Sequence, residues 1–150
     1  MRWLIAENAQ IHYLQRRPMA LIHYTEQALS DLFAAHHTVS ADCSESITCL
    51  CKWAGLADPS GLGYDGYGNT QTMYDHLPHY SSPQDAEVGA IAMFGAGYSL
   101  AHQHVAMVMK PGADPLLFSH GSEPGPMAIR LSVEAPYHPG KPVFLSIQHL

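Results

Sequence analysis

The sequence predicts an α+β fold in which N-terminal helices pack on a C-terminal antiparallel sheet of about five strands. Three observations carry this expectation. Apolar residues in the first half recur at helical spacing behind capping residues. Those in the second half fall in short alternating runs separated by Gly, Pro and Asp. Helices first and strands after is the order of an α+β chain. The chain has 150 residues, 47% of them hydrophobic and 13% charged. That is the size of one domain, 1–150, large enough to fold without disulfides or metal.

Each element has its own signal. Leu4, Ala6, Ile11 and Leu14 recur over residues 2–15, compatible with a helix that stops before Pro18. Thr25 reads as the N-cap of a second helix over 25–35, with Ala28, Leu29, Leu32 and Phe33 on its inner face. Asp42 reads as the N-cap of a third, with Glu45 placed as in a capping box and Gly55 at the C-terminal stop. Cys43, Ile47, Leu50, Cys51 and Ala54 share one face of that helix, and Cys49 falls off it. Residues 58–68 form a Gly-rich loop carrying Tyr64 and Tyr67. Its spacing is not that of a phosphate-binding loop and no Lys follows, so a nucleotide site is excluded. As a cleft wall it makes Tyr64 and Tyr67 candidate substrate-binding residues. A short helix is expected near Thr70–His76. Strands are expected over Ala90–Phe94, His102–Met109, Leu116–His120, Met127–Val133 and Val143–Ile147, as a meander.

Charge and composition exclude several classes. A formal net charge of -6, with Arg16-Arg17 as the sole basic pair, is no nucleic-acid footprint. No apolar run approaches a membrane span, and Met1–Asn8 is too short for a signal peptide, so the expectation is synthesis in the cytoplasm without a leader. The 3 cysteines, at 43, 49 and 51, are too clustered for a disulfide framework and read as free thiols. The 11 histidines raise the question of metal. His102-x-His104 with Cys43 and His120 offers zinc-type ligands, but no Cys-x-x-Cys or His-Glu-x-x-His spacing supports a site. No metal or cofactor is expected.

Cys43 carries the chemistry. It stands on the first turn of the third helix, where unpaired N–H groups lower a thiol's pKa and favour the nucleophilic thiolate. Cys49 and Cys51 read as packing residues. His102 and His104 are expected on one strand face and His120 on the next strand, with a hairpin through 110–114 bringing His104 and His120 side by side. A helix laid across that face sets its first turn over them, giving a nucleophile, a base and an orienting group.

These residues resemble the NlpC family of cell-wall cysteine peptidases. The family reads Asp-Cys-Ser-Gly at a helix start, His-Val-Gly-Ile-Tyr on a strand, and apolar-His-Ala on the next. Here Asp42-Cys43-Ser44, His104-Val105-Ala106-Met107-Val108 and Phe118-Ser119-His120-Gly121 stand in that order. Gly89–Phe94 takes the place of the family's Gly-Asp-Leu-Val-Phe-Phe strand. Val133–Tyr137 looks like the segment before its last strand. The likeness covers about 42–147, and the residues ahead, including Ile22-His23-Tyr24, resemble actinobacteriophage lysins. Glu45 replaces a Gly, Ala90 replaces an Asp, and His36–Val39 stands where the family has Tyr-x-Trp-Gly-Gly, whose Tyr lies near the oxyanion site.

The resemblance implies a papain-like fold and hydrolysis of the peptidoglycan stem peptide, as in a phage lysin. Cys43 would be the nucleophile, His104 the general base and His120 the residue holding the imidazole. It implies no metal or cofactor. Peptidoglycan is the expected partner, and neither nucleic acid nor membrane is. Two alternatives stay open: an N-acetylmuramoyl-L-alanine amidase or other amide hydrolase of the same fold, and a non-catalytic phage structural or wall-binding module.

Overall fold

The structure is a computed structural model that describes residues 1–121, 125–148 and 150. Its centre is a five-stranded antiparallel sheet in the order β6-β5-β4-β3-β7: β3 Ile91–Phe94, β4 His104–Lys110, β5 Leu116–Ser119, β6 Met127–Arg130 and β7 Val143–Leu145. Strands β3 to β6 run as the expected meander, and β7 returns to pair with β3. The α+β class is therefore as expected.

The helices follow the caps. In α2, Glu26–Ala34, the Thr25 hydroxyl accepts from the Ala28 N–H. In α3, Cys43–Trp53, the Asp42 carboxylate accepts from the Glu45 N–H. Only half of a capping box forms there, because the Glu45 side chain turns inward and accepts from the Leu21 N–H at 2.6 Å instead. Helix α3 ends in a Schellman pair, Gly55 N–H to Lys52 O and Leu56 N–H to Cys51 O, with Gly55 at φ 74°. Helix α4 spans Thr70–His76 behind an Asn69/Thr72 capping box.

Three expectations are corrected. The helix over 2–15 is broken: α1 covers only Arg2–Ala6, and Ile11–Tyr13 forms β1, paired in parallel with β2, Val39–Ala41. Tertiary pairing overrides helical spacing in so short a run. The strand expected from His102 begins at His104, because Leu100–His102 closes a 3-10 turn. The strand over 127–133 ends at Arg130, and Leu131–Glu134 forms α5, followed by a 3-10 turn over Ala135–Tyr137.

Both sheet faces are covered, not one. Val105, Met107, Ile91, Met93 and Phe118 pack with α3, α2 and the N-terminal segments. Ala106, Val108, Ala92, Phe94 and Leu117 pack on the other face with Leu131, Ala135 and Tyr80. Helix α3 is buried on nearly every side, so Cys49 is as buried as Cys51, each 1% exposed. The Leu21–Ile22 segment covers the side that helical spacing marked as outer. Truncating Ile47 in this layer costs about 2–5 kcal/mol.

Candidate active site

The thiol of Cys43 lies where α3 begins and β4 begins. Strand β2 ends at Ala41, so the chain enters α3 directly from the edge of the small sheet, fixing the first turn. Arg17 locks that turn. It donates to Asp42 Oδ2 at 2.8 Å, to Ser44 Oγ at 2.7 Å and to the Gly68 carbonyl at 2.8 Å. A cavity of about 430 Å³ opens over the thiol, lined by Arg16, Arg17, Cys43, Asn69, Thr70, Leu100 and Gln103 among others.

Cys43 is surrounded by donors. The backbone N–H groups of Val105 and Ser44 act on its sulfur, and the Tyr13 hydroxyl lies near enough to interact with it. The thiol therefore meets β4 at the peptide that joins His104 to Val105. Burial nevertheless pushes the Cys43 thiol up to about 12, the Asp42 carboxylate adds to that, and the N–H groups and Arg17 only partly oppose it. This corrects the expectation of a lowered thiol pKa. Desolvation and the capping carboxylate outweigh the helix N-terminus. At neutral pH Cys43 is a thiol awaiting a base.

The two imidazoles are brought to neighbouring strand ends but to opposite faces. Strand alternation puts His104 with Ala106 and Phe94, away from α3, and puts His120 with Phe118, toward α3. His104 stacks on His138, with ring centroids 5.0 Å apart at 3°, and on Phe94 at 5.8 Å. Its Nε2 is 2.9 Å from Ser119 Oγ and 3.6 Å from Glu134 Oε1. His120 turns its Nδ1 to Ser46 Oγ at 2.8 Å, sets its ring edge-on to Tyr13 at 5.6 Å, and has a buried Nε2 without a partner among the described residues. Burial pushes both histidines down to about 4, so both are neutral at pH 7. Neither imidazole is hydrogen-bonded to Cys43 here.

His102 faces solvent and bonds Ser99 Oγ. Tyr64 gives its hydroxyl to the Leu56 carbonyl and lies under Lys52; Tyr67 is 58% exposed. Neither tyrosine is among the residues lining the cavity over Cys43. The Gly-rich loop reaches the site through the Gly68 carbonyl and the adjoining Asn69 instead.

Three residues were missed from sequence. Tyr13 supplies a hydroxyl at the sulfur; its β1 register, Tyr13 opposite Ala41, sets it beside the start of α3. Burial and the neighbouring Cys43 push its phenol up to about 12, so it remains a donor. The alternation in Ile11-His12-Tyr13 was the available signal. Glu134 and His138 lie at helical spacing, four apart, and His138 Nε2 is 2.7 Å from Glu134 Oε1. Glu134, His138 and His104 each place one ligand-type atom within 4.8 Å of the others, close enough to share a metal ion. Ser119 and the His138–Glu134 bond already supply protein partners to these atoms.

No helix among the described residues is long and apolar enough to cross a membrane. The sequence matches no protein-family model and no curated protein.

Proposed function

We propose that the protein is a papain-like cysteine hydrolase of the bacterial cell wall, cutting an amide bond of the peptidoglycan stem peptide. The observation that carries the reading is the setting of Cys43: a buried thiol on the first turn of α3, lining a cavity whose walls carry Arg16, Arg17 and Gln103. The ordered motifs around Cys43, His104 and His120 supply the choice of substrate. Arg16 on the cleft wall suits the carboxylates that stem peptides carry.

The steps follow from the atoms present. Substrate fills the cleft, and the neutral His104, the base that the motif order assigns, takes the thiol proton once its ring turns from the sheet face it shares with Phe94 toward the cleft. The Cys43 sulfur attacks the amide carbonyl. Tyr13 and a backbone N–H at the start of α3 donate to the oxygen as it becomes negative. His104 then protonates the leaving amine, and water activated by the same imidazole releases the acyl group. His120 is held by Ser46 on the α3 side of the sheet, its ring edge-on to Tyr13.

Digestion of purified cell walls tests this, with Cys43→Ala beside wild type and products identified by mass. Wild type should release stem-peptide fragments and Cys43→Ala none. Equal release by both would overturn the reading. A free lactyl group on muramic acid would move the cut to the N-acetylmuramoyl-L-alanine bond.

A further inference from the structure

We propose that His104, Glu134 and His138 form a binding site for one divalent transition-metal ion of the zinc class, on the sheet face away from Cys43. The sequence offers a different set for zinc, His102 and His104 with Cys43 and His120. The fold takes that set apart: His102 faces solvent, and His120 is bonded to Ser46 on the α3 side. The site goes beyond the hydrolase reading and does not depend on it.

Two stretches of backbone deliver the three donors. His104 opens β4 opposite Phe94. Glu134 ends α5, and the 3-10 turn over Ala135–Tyr137, closed by the His138 N–H on the Ala135 carbonyl, brings His138 back over Glu134. The two imidazole rings lie parallel, 5.0 Å apart at 3°, and Phe94 packs on both, at 5.8 Å from His104 and 4.9 Å from His138. Each ring turns its Nε2 to the same atom, Glu134 Oε1, at 3.6 Å from His104 and 2.7 Å from His138.

That convergence suits an ion. All three donor atoms lie within 4.8 Å of one another. Ligands bonded to a tetrahedral ion at about 2.1 Å stand about 3.4 Å apart. The two edges through Oε1, 2.7 and 3.6 Å, bracket that spacing. The hydrogen bond that joins His138 to Glu134 is exchanged for the ion by a change of tautomer. The proton moves from Nε2 to Nδ1, which in both rings makes no hydrogen bond among the described residues. Each imidazole then presents the Nε2 lone pair, and no proton leaves the protein. Ser119 Oγ, 2.9 Å from His104 Nε2, gives up that contact and remains as a partner for a water in the fourth position. Two imidazoles and one carboxylate favour Zn²⁺ or Co²⁺, whereas Ca²⁺ and Mg²⁺ require shells of oxygen. His104 and Glu134 are 4% and 5% exposed, so water competes little for them, and the His138 side chain, at 18%, leaves a way in.

Calorimetric titration of Zn²⁺ into the full chain, freed of metal by a chelator, tests this. Wild type should take up one ion per chain with Kd below about 10 μM. Glu134→Gln and His138→Gln should each weaken binding by at least about 100-fold, more than the loss of an outer partner costs. His102→Gln and Cys43→Ala should bind as wild type does. In wild type, zinc should move the Nε2 15N resonances of His104 and His138 and leave that of His120 in place, a readout that needs no variant to fold. Wild type without such a site, full affinity in folded Glu134→Gln and His138→Gln, loss of binding in Cys43→Ala, or unmoved His104 and His138 resonances would each overturn the proposal. Binding is read without cell walls, so its failure and that of the hydrolase reading are told apart.

Discussion

His104 and His120 are set on adjacent strands, are equally starved of water, and are both pushed down to about 4 by burial. Their surroundings differ completely. His104 has a stacked imidazole on its ring and a hydroxyl and a carboxylate at Nε2, while its Nδ1 makes no hydrogen bond among the described residues. His120 has one serine on Nδ1 and a buried Nε2 with no partner among the described residues. Strand alternation makes the difference, since a one-residue change of register exchanges the two faces. A pair of histidines at the right sequence spacing is therefore not yet a catalytic pair. Each ring has one anchored nitrogen, so the face of the sheet, and not the hydrogen bonds, tells the two apart.

The largest effect that could break this comparison is acid lability. For both histidines the folded pKa, about 4, lies below the unfolded value near 6.5. The unfolded chain thus takes up protons first as pH falls. Stability is complete above about pH 6.5 and drains away toward pH 4, by roughly 3 kcal/mol per histidine. Urea midpoints measured at pH 7, 5.5 and 4.5 should fall steeply; a flat series would show that the two rings are not held neutral.

Next in size is Asp42. Asp42→Ala removes the α3 cap and the Arg17 ion pair and should cost about 1–2 kcal/mol, read as a lower melting temperature. Asp42→Asn keeps the cap oxygen and removes the charge that helps hold the thiol up, so Cys43 should alkylate faster at pH 8 than in wild type. Slower alkylation would place the control of Cys43 elsewhere. The smallest effect is Ser46→Ala, which strands His120 Nδ1 at a cost of about 1–2 kcal/mol while wall hydrolysis persists. Loss of hydrolysis in a folded Ser46→Ala would move His120 into the machinery.

Local signals carried much of the fold. Thr25, Asp42, Asn69 and Gly55 cap or stop helices at their own positions, and the β3 to β6 meander follows its alternating runs. What escaped was nonlocal. Ile11–Tyr13 is a strand only because Val39–Ala41 lies beside it. Glu134 approaches His104 only once α5 folds back over β3 and β4. The thiol's pKa was misjudged for a related reason: a helix start is visible in sequence, whereas the depth of burial that overrides it is a property of the packed core. At the site, Cys43 and its place at a helix N-terminus were legible, and the split of the two imidazoles between opposite sheet faces was not.

The central claim is that His104, and not His120, moves the Cys43 proton. Initial rates of fragment release from cell walls by His104→Gln and His120→Gln, each compared with wild type and each shown to be folded, test it most directly. The account predicts a loss of about 10²- to 10⁴-fold in kcat/KM for His104→Gln and less than about tenfold for His120→Gln. The reverse order would contradict it.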